Sequence, residues 1–134
     1  MGLLSFFNKE IAMDLGTANT VVIFEDQVVC DEPSIVAFDK TTRKLMAVGK
    51  QAQQMDGKIN PNIETIRPLR GGVIADFDMA QHMIRELIRM ASVSRSFMPP
   101  SLRMVIGIPS GITPVEQRAV IEAAEQAGAK EIKL

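Results

Sequence analysis

Ile11-Ala12-Met13-Asp14-Leu15-Gly16-Thr17-Ala18-Asn19-Thr20-Val21-Val22-Ile23 is the stretch that decides the fold. Ile11 to Met13 and Thr20 to Phe24 read as β-branched and apolar strands. The link 14–19 between them is too short for a parallel crossover, so they form an antiparallel hairpin. Two readings of that link stay open. Asp, Gly and Asn are ordinary turn formers. Alternatively, Gly16 lets the backbone approach a ligand while successive N–H groups and the Thr17 and Asn19 side chains surround phosphate oxygens. Asp14 fits the second reading only with a cation. Two like charges about 4 Å apart repel by roughly 4 kcal/mol at an effective dielectric near 20, which calls for Mg2+ or its waters between carboxylate and phosphate.

Outward from the hairpin, a third strand spans Gln27 to Cys30 and breaks at Glu32-Pro33; Ser34 to Phe38 resumes in extended form. Asp39 to Lys44 is a polar turn before a strand at Leu45 to Val48, and a short helix follows near Lys50 to Met55. Ile63 to Gly72, with Pro68, Gly71 and Gly72, reads as a connector and subdomain boundary. Asp78 with Gln81 resembles a capping box, opening a helix through Ser92 whose Met79, Met83, Ile84, Leu87, Ile88 and Ala91 share one face. Arg103 to Ile108 is a strand. Thr113-Pro114-Val115-Glu116 starts a helix that stops at Gly128, with Val115, Ala119, Val120, Ala123, Ala124 and Ala127 on its buried face. Ile132 to Leu134 begins another strand, completing a parallel βαβ unit. The pattern predicts an α/β domain with a mixed sheet, flanking helices and a small, partly β insertion.

At 134 residues and 14.7 kDa the chain is long enough for one core. Its 15 basic and 16 acidic residues leave a net charge of −1, and Trp and Tyr are absent, which argues against nucleic acid as a partner. The single Cys30 excludes an intrachain disulfide and CxxC centres. His82 has no neighbouring His or Cys for a metal site. No apolar run approaches a membrane span and the start lacks a secretory signal, so a cytoplasmic location is expected.

Two apolar groups stand out. Leu3, Leu4, Phe6 and Phe7 precede the polar Asn8-Lys9-Glu10, and Phe97-Met98 lies in a Ser- and Pro-rich loop. Exposure to water would cost roughly 1.5 kcal/mol or more for each such side chain, so each group needs an apolar partner, either the chain's own core or a membrane interface.

Three further segments join the hairpin: Asp31-Glu32-Pro33-Ser34-Ile35-Val36-Ala37, Ile66-Arg67-Pro68-Leu69-Arg70-Gly71-Gly72 through Asp76-Phe77, and Val105-Ile106-Gly107-Ile108-Pro109 through Thr113, Val115-Glu116 and Arg118-Ala119. In that order and spacing they resemble the rod-shape-determining MreB family, the prokaryotic actin homologues of the actin-like ATPase superfamily. The resemblance, running from Ile11 to Leu134, implies an actin-like (ribonuclease H-like) fold, of which this chain is subdomains IA and IB. Residues 11–34 and 73–134 would form IA, 35–72 the inserted IB, and 1–10 an amphipathic membrane-contacting segment. It further implies a cytoplasmic, ATP-binding protein that assembles with itself into filaments at the inner face of the cell membrane and organises the cell-wall synthesis machinery. Position by position, Gly16, Thr17, Ala18 and Asn19 correspond to nucleotide-binding residues and Asp14 to the acidic residue that meets Mg2+ through water. Leu3, Leu4, Phe6, Phe7, Phe97 and Met98 match the family's membrane anchors by character or location, with a buried role for the last two still open.

In that family the strand near Lys130 to Leu134 leads into an Ile-Glu-Glu-Pro segment whose glutamate positions the attacking water. That segment, the second phosphate hairpin and the adenosine pocket are not in these 134 residues. No catalytic residue is therefore assigned, and the chain alone is expected to bind ATP weakly or not at all and to be inactive as an ATPase. The alternatives are another ATPase or kinase of the same fold, which the Glu32-Pro33-Ser34 and Arg67 to Asp76 segments argue against, and a nucleotide-free membrane or interaction module.

Overall fold

The structure, a computed structural model, describes residues 8–58, 60–93 and 101–134. The expected anchors Leu3, Leu4, Phe6, Phe7, Phe97 and Met98 lie outside the described residues.

The chain builds β1 (Asn8–Leu15), β2 (Asn19–Phe24), β3 (Gln27–Pro33), β4 (Val36–Asp39), β5 (Leu45–Val48), helix α1 (Lys50–Met55), β6 (Ile63–Ile66), β7 (Leu69–Arg70), β8 (Val73–Ile74), α2 (Phe77–Val93), β9 (Ser101–Gly107), α3 (Pro114–Gln126) and β10 (Glu131–Lys133). The principal sheet has the order β10-β9-β1-β2-β3. β1 lies at its centre, antiparallel to β2 and parallel to β9, and β9 is parallel to β10 across α3. The sheet is mixed, as the short first link and the later βαβ unit require.

Alternation sorts the sheet into two faces. Ile11, Met13, Leu15, Val22, Met104 and Ile106 are buried with the apolar stripes of α2 and α3 in one core. On the alternate positions Asp14, Ile23 and Val105 are exposed. Leu87 and Ile88 of α2 are fully buried, each contributing roughly 1.5–3 kcal/mol of apolar transfer. Val120, Ala123 and Ala124 line α3.

A smaller sheet, β5-β4-β6, is formed by the chain between β3 and β7, with α1 against it. Its own core is Ile35, Ala37, Ala47 and Ala52. Val36 and Phe38, on the other face of β4, belong to the principal core.

Several local expectations change. β1 begins at Asn8, so three residues of the segment expected at 1–10 are strand. β3 continues through Glu32 to Pro33, because β3 is an edge strand and a proline at its last position interrupts no central ladder. The stretch 63–72 is not a bare connector: it holds β6 and β7, and Gly71-Gly72 at φ 60° and 76° turn the chain from β7 into β8. Helix α2 starts at Phe77, and its cap lies two residues before the expected Asp78. Asp76 Oδ1 accepts from Met79 N at 3.0 Å, whereas Asp78 sits in the first turn. The Gln81 side chain donates to Ala119 O on α3 at 3.1 Å instead of reaching back. Val115, placed by spacing on the buried face of α3, is 71% exposed. Spacing fixes its azimuth but not its cover, and the buried stripe begins one turn later at Ala119. The α3 caps follow the expected chemistry: Thr113 and Glu116 form a reciprocal capping box, and Gly128 at φ 111° closes the C-terminus with Ala129 N donating to Ala124 O.

Candidate phosphate-binding loop

The loop 16–18 leaves β1 at its C-terminal end, the end of a parallel strand where α/β sheets place ligands. Asp14 is exposed there, paired across the sheet with Gly107. Thr17, Ala18 and Asn19 are exposed, and Gly16 is partly covered. Gly16 is required by space: a Cβ there would collide with the carbonyl oxygen of Asn19. Asn19 opens β2, and its side chain donates to Asp31 Oδ1 at 3.3 Å, so it is braced sideways against β3.

The loop is held from beneath by residues to which the sequence assigned no role. Ser34 N donates to Ala18 O at 2.8 Å, and Ser34 Oγ donates to Gly16 O at 2.7 Å. Thr20 Oγ1 lies 2.8 Å from Ser34 Oγ. Arg67 Nη1 donates to Ala18 O at 3.3 Å. No periodicity reveals these ties, since a Ser or Thr inside a strand is ordinary; the only signal was the position of Ser34 and Arg67 within the segments that carried the family resemblance.

No group of three or more His, Cys, Asp or Glu is arranged as a metal cage among the described residues. Mg2+ fits this site in another way, because it keeps several waters and is commonly held by one or two carboxylates together with substrate phosphates. Asp14, exposed beside the loop, is suited to such an outer contact.

Two neighbouring groups are structural. Glu32 accepts from Lys50 N at 2.8 Å, capping α1 from β3, and its carboxylate fills the space that a side chain at Gly49 would need. Burial pushes the Cys30 thiol up to about 11, with Glu32 and Asp31 adding to the effect, so it stays protonated and unreactive near neutral pH. Away from the loop, His82 Nδ1 lies 2.7 Å from Arg85 Nη2, and burial followed by the Arg85 charge lowers its pKa from the ordinary value.

Residues 8–134 match the family model described as MreB/Mbl protein. The chain belongs to the MreB/Mbl family. It is 44% identical over 129 residues to the cell shape-determining protein Mbl of Bacillus subtilis and 42% identical over 133 residues to the cell shape-determining protein MreB of Escherichia coli, covering 96% of this chain in both. The chain spans 38% of the length of each of these MreB/Mbl relatives. Among solved structures it is similar to MreB5 of Spiroplasma citri bound to ADP, at a TM-score of 0.76 and 35% identity over 94% of this chain and 37% of that one. The same protein bound to AMPPNP gives 0.75 and 34%, over 94% and 38%. The actin-like architecture of the MreB/Mbl family is thus the fold of this chain.

Proposed function

We propose that this chain is the part of a bacterial actin-like cytoskeletal protein that presents the first phosphate-binding loop to ATP, with Gly16, Thr17, Ala18 and Asn19 facing the nucleotide and Asp14 meeting Mg2+ through water. The observation that carries this reading is the loop itself. It lies at the C-terminal end of a central parallel strand, with no room for a side chain at residue 16 and with the Gly16 and Ala18 carbonyls tied into the protein. It occurs in a family whose Spiroplasma citri member is described with ADP and AMPPNP. An amide-resolved NMR titration of this chain with Mg-ATP tests it, since the method registers weak binding. Shifts centred on residues 14–19, and weakened in a Thr17→Ala, Asn19→Ala double variant, are expected; shifts confined to another surface would remove the assignment.

On the same reading the complete protein forms filaments with itself at the cytoplasmic face of the cell membrane and organises cell-wall synthesis to determine cell shape. Subdomain IA would comprise 11–34 and 73–134, and IB 35–72. Membrane contact is supported by the two apolar groups of the sequence, Leu3, Leu4, Phe6 and Phe7 before β1 and Phe97-Met98 before β9. Strands β1 and β9 begin side by side, with Asn8 paired to Ser101 in their parallel ladder. Among the described residues no helix is long and apolar enough to cross a membrane, and the proposed attachment is peripheral. Liposome co-sedimentation should fall when Leu4 and Phe7 are changed to Glu and fall further with Phe97→Glu. Undiminished binding in the triple variant would sink the membrane reading.

A further inference from the structure

Thr20 and Ser34 are the only fully buried polar side chains among the described residues, each at 0% exposure. A buried hydroxyl needs partners, because leaving one unpaired costs more than a made bond returns. Here the proton count closes in one way. Ser34 has a single hydroxyl proton and gives it to Gly16 O at 2.7 Å. Thr20 must therefore be the donor in its 2.8 Å contact with Ser34 Oγ. The backbone N–H of Ser34 and the Arg67 guanidinium both donate to Ala18 O, at 2.8 and 3.3 Å.

All of these bonds to the loop end on carbonyl oxygens. A carbonyl turned toward a polyphosphate would repel it, whereas backbone N–H groups attract it. Among the described residues nothing accepts from the N–H of Thr17 or Ala18, and both residues are exposed. We propose that Thr20, Ser34 and Arg67 are positioning residues that draw the Gly16 and Ala18 carbonyls inward and leave the Thr17 and Ala18 amides to an anionic polyphosphate. The ligand half of this rests on the nucleotide reading of the loop given above. Arg67 stands just after β6 of the small sheet, so the small sheet takes part in setting the shape of the loop.

NMR of this chain, with inorganic tripolyphosphate as the probe, reads the backbone order of residues 16–19 and the affinity at the Thr17 and Ala18 amides. In Ser34→Ala the order parameters of 16–19 are expected to fall from a rigid value near 0.85 to below about 0.6, while those of β4 and β5 are kept. Tripolyphosphate affinity should drop about fivefold to tenfold, the effect of one to two hydrogen bonds. Thr20→Ser, which keeps the hydroxyl and loses a buried methyl, should lower Tm but retain loop order and affinity; Thr20→Val, which keeps the bulk and loses the donor, should loosen the loop. That split is not expected from a residue that merely stabilises the fold. If Ser34→Ala fails to fold, Arg67→Met at the part-buried rim reads the same effect through the Ala18 carbonyl. Unchanged order at 16–19 in Thr20→Val and in Arg67→Met overturns the proposal. A loop that loosens as expected while tripolyphosphate moves no loop amide even in the unaltered chain upholds the positioning and overturns the nucleotide reading.

Discussion

Strand β2 runs between two turns that are made by different physics. The turn before it, 16–18, is shaped from outside: its restraining groups, Ser34 and Arg67, are 18 and 49 residues from the carbonyls they hold. The turn after it, Glu25-Asp26, is shaped by its own backbone. Both residues are left-handed, at φ 52° and 61°, and join Phe24 to Gln27 as a two-residue connection whose twist matches the strands. The closing bonds of the second turn run between its flanking residues, Phe24 and Gln27, and call on no distant part of the chain. The first is held by its carbonyls from below, and only that turn is built that way.

Changing Gly16 should break the contrast most severely. Gly16→Val drives a branched side chain into the Asn19 carbonyl, and urea denaturation should record a loss of about 2–3 kcal/mol, because backbone and not a flexible side chain would have to move. A loss under about 0.5 kcal/mol, the usual range for an unconstrained surface position, would show that the loop yields freely. The opposite sign is expected at the second turn. Left-handed backbone costs a non-glycine residue about 1–2 kcal/mol, and glycine's freedom in the unfolded chain returns roughly 0.5–1 of that, so Asp26→Gly should raise stability by about 0.5 kcal/mol. A decrease would mean that the Asp26 side chain contributes more than its backbone strain.

His82, on α2 and away from both turns, provides the smallest effect and a control. Its folded pKa lies below the ordinary 6.5, so the unfolded chain takes up the proton first. Its contribution to stability is present above about pH 6.5 and is lost as the pH falls through the folded value. Denaturation midpoints between pH 7.5 and pH 5 should therefore decline less in His82→Gln than in the parent. Equal slopes would place the acid sensitivity elsewhere.

The parts of the fold legible in the sequence are those with local causes. Thr113-Pro114-Val115-Glu116 and Gly128 mark the ends of α3 because cap and helix lie within a few residues of each other. The β1–β2 hairpin follows from a link too short for any other connection. Asp76 was missed as the α2 cap because Asp78-Met79-Ala80-Gln81 offers a competing capping pattern two residues on; what favours Asp76 is tertiary as well as local, since it also pairs with Arg43 from the β4–β5 turn at 3.2 Å. Strands β7 and β8 were missed because two-residue strands carry no periodicity. At the loop, residues 14–19 were legible from their types, while the Thr20–Ser34 pair was not, because its meaning depends on a neighbour that only folding supplies.

Strand β4 belongs to two cores at once: Val36 and Phe38 are buried in the principal one and Ala37 in the small one. Withdrawing it exposes both interiors together, so neither sheet has an unfolding route of its own. The two sheets should melt in one cooperative transition, and amides on β5 should exchange with solvent at the same opening free energy as those on β1. Alternating side chains on four residues thereby make one thermodynamic unit of two sheets.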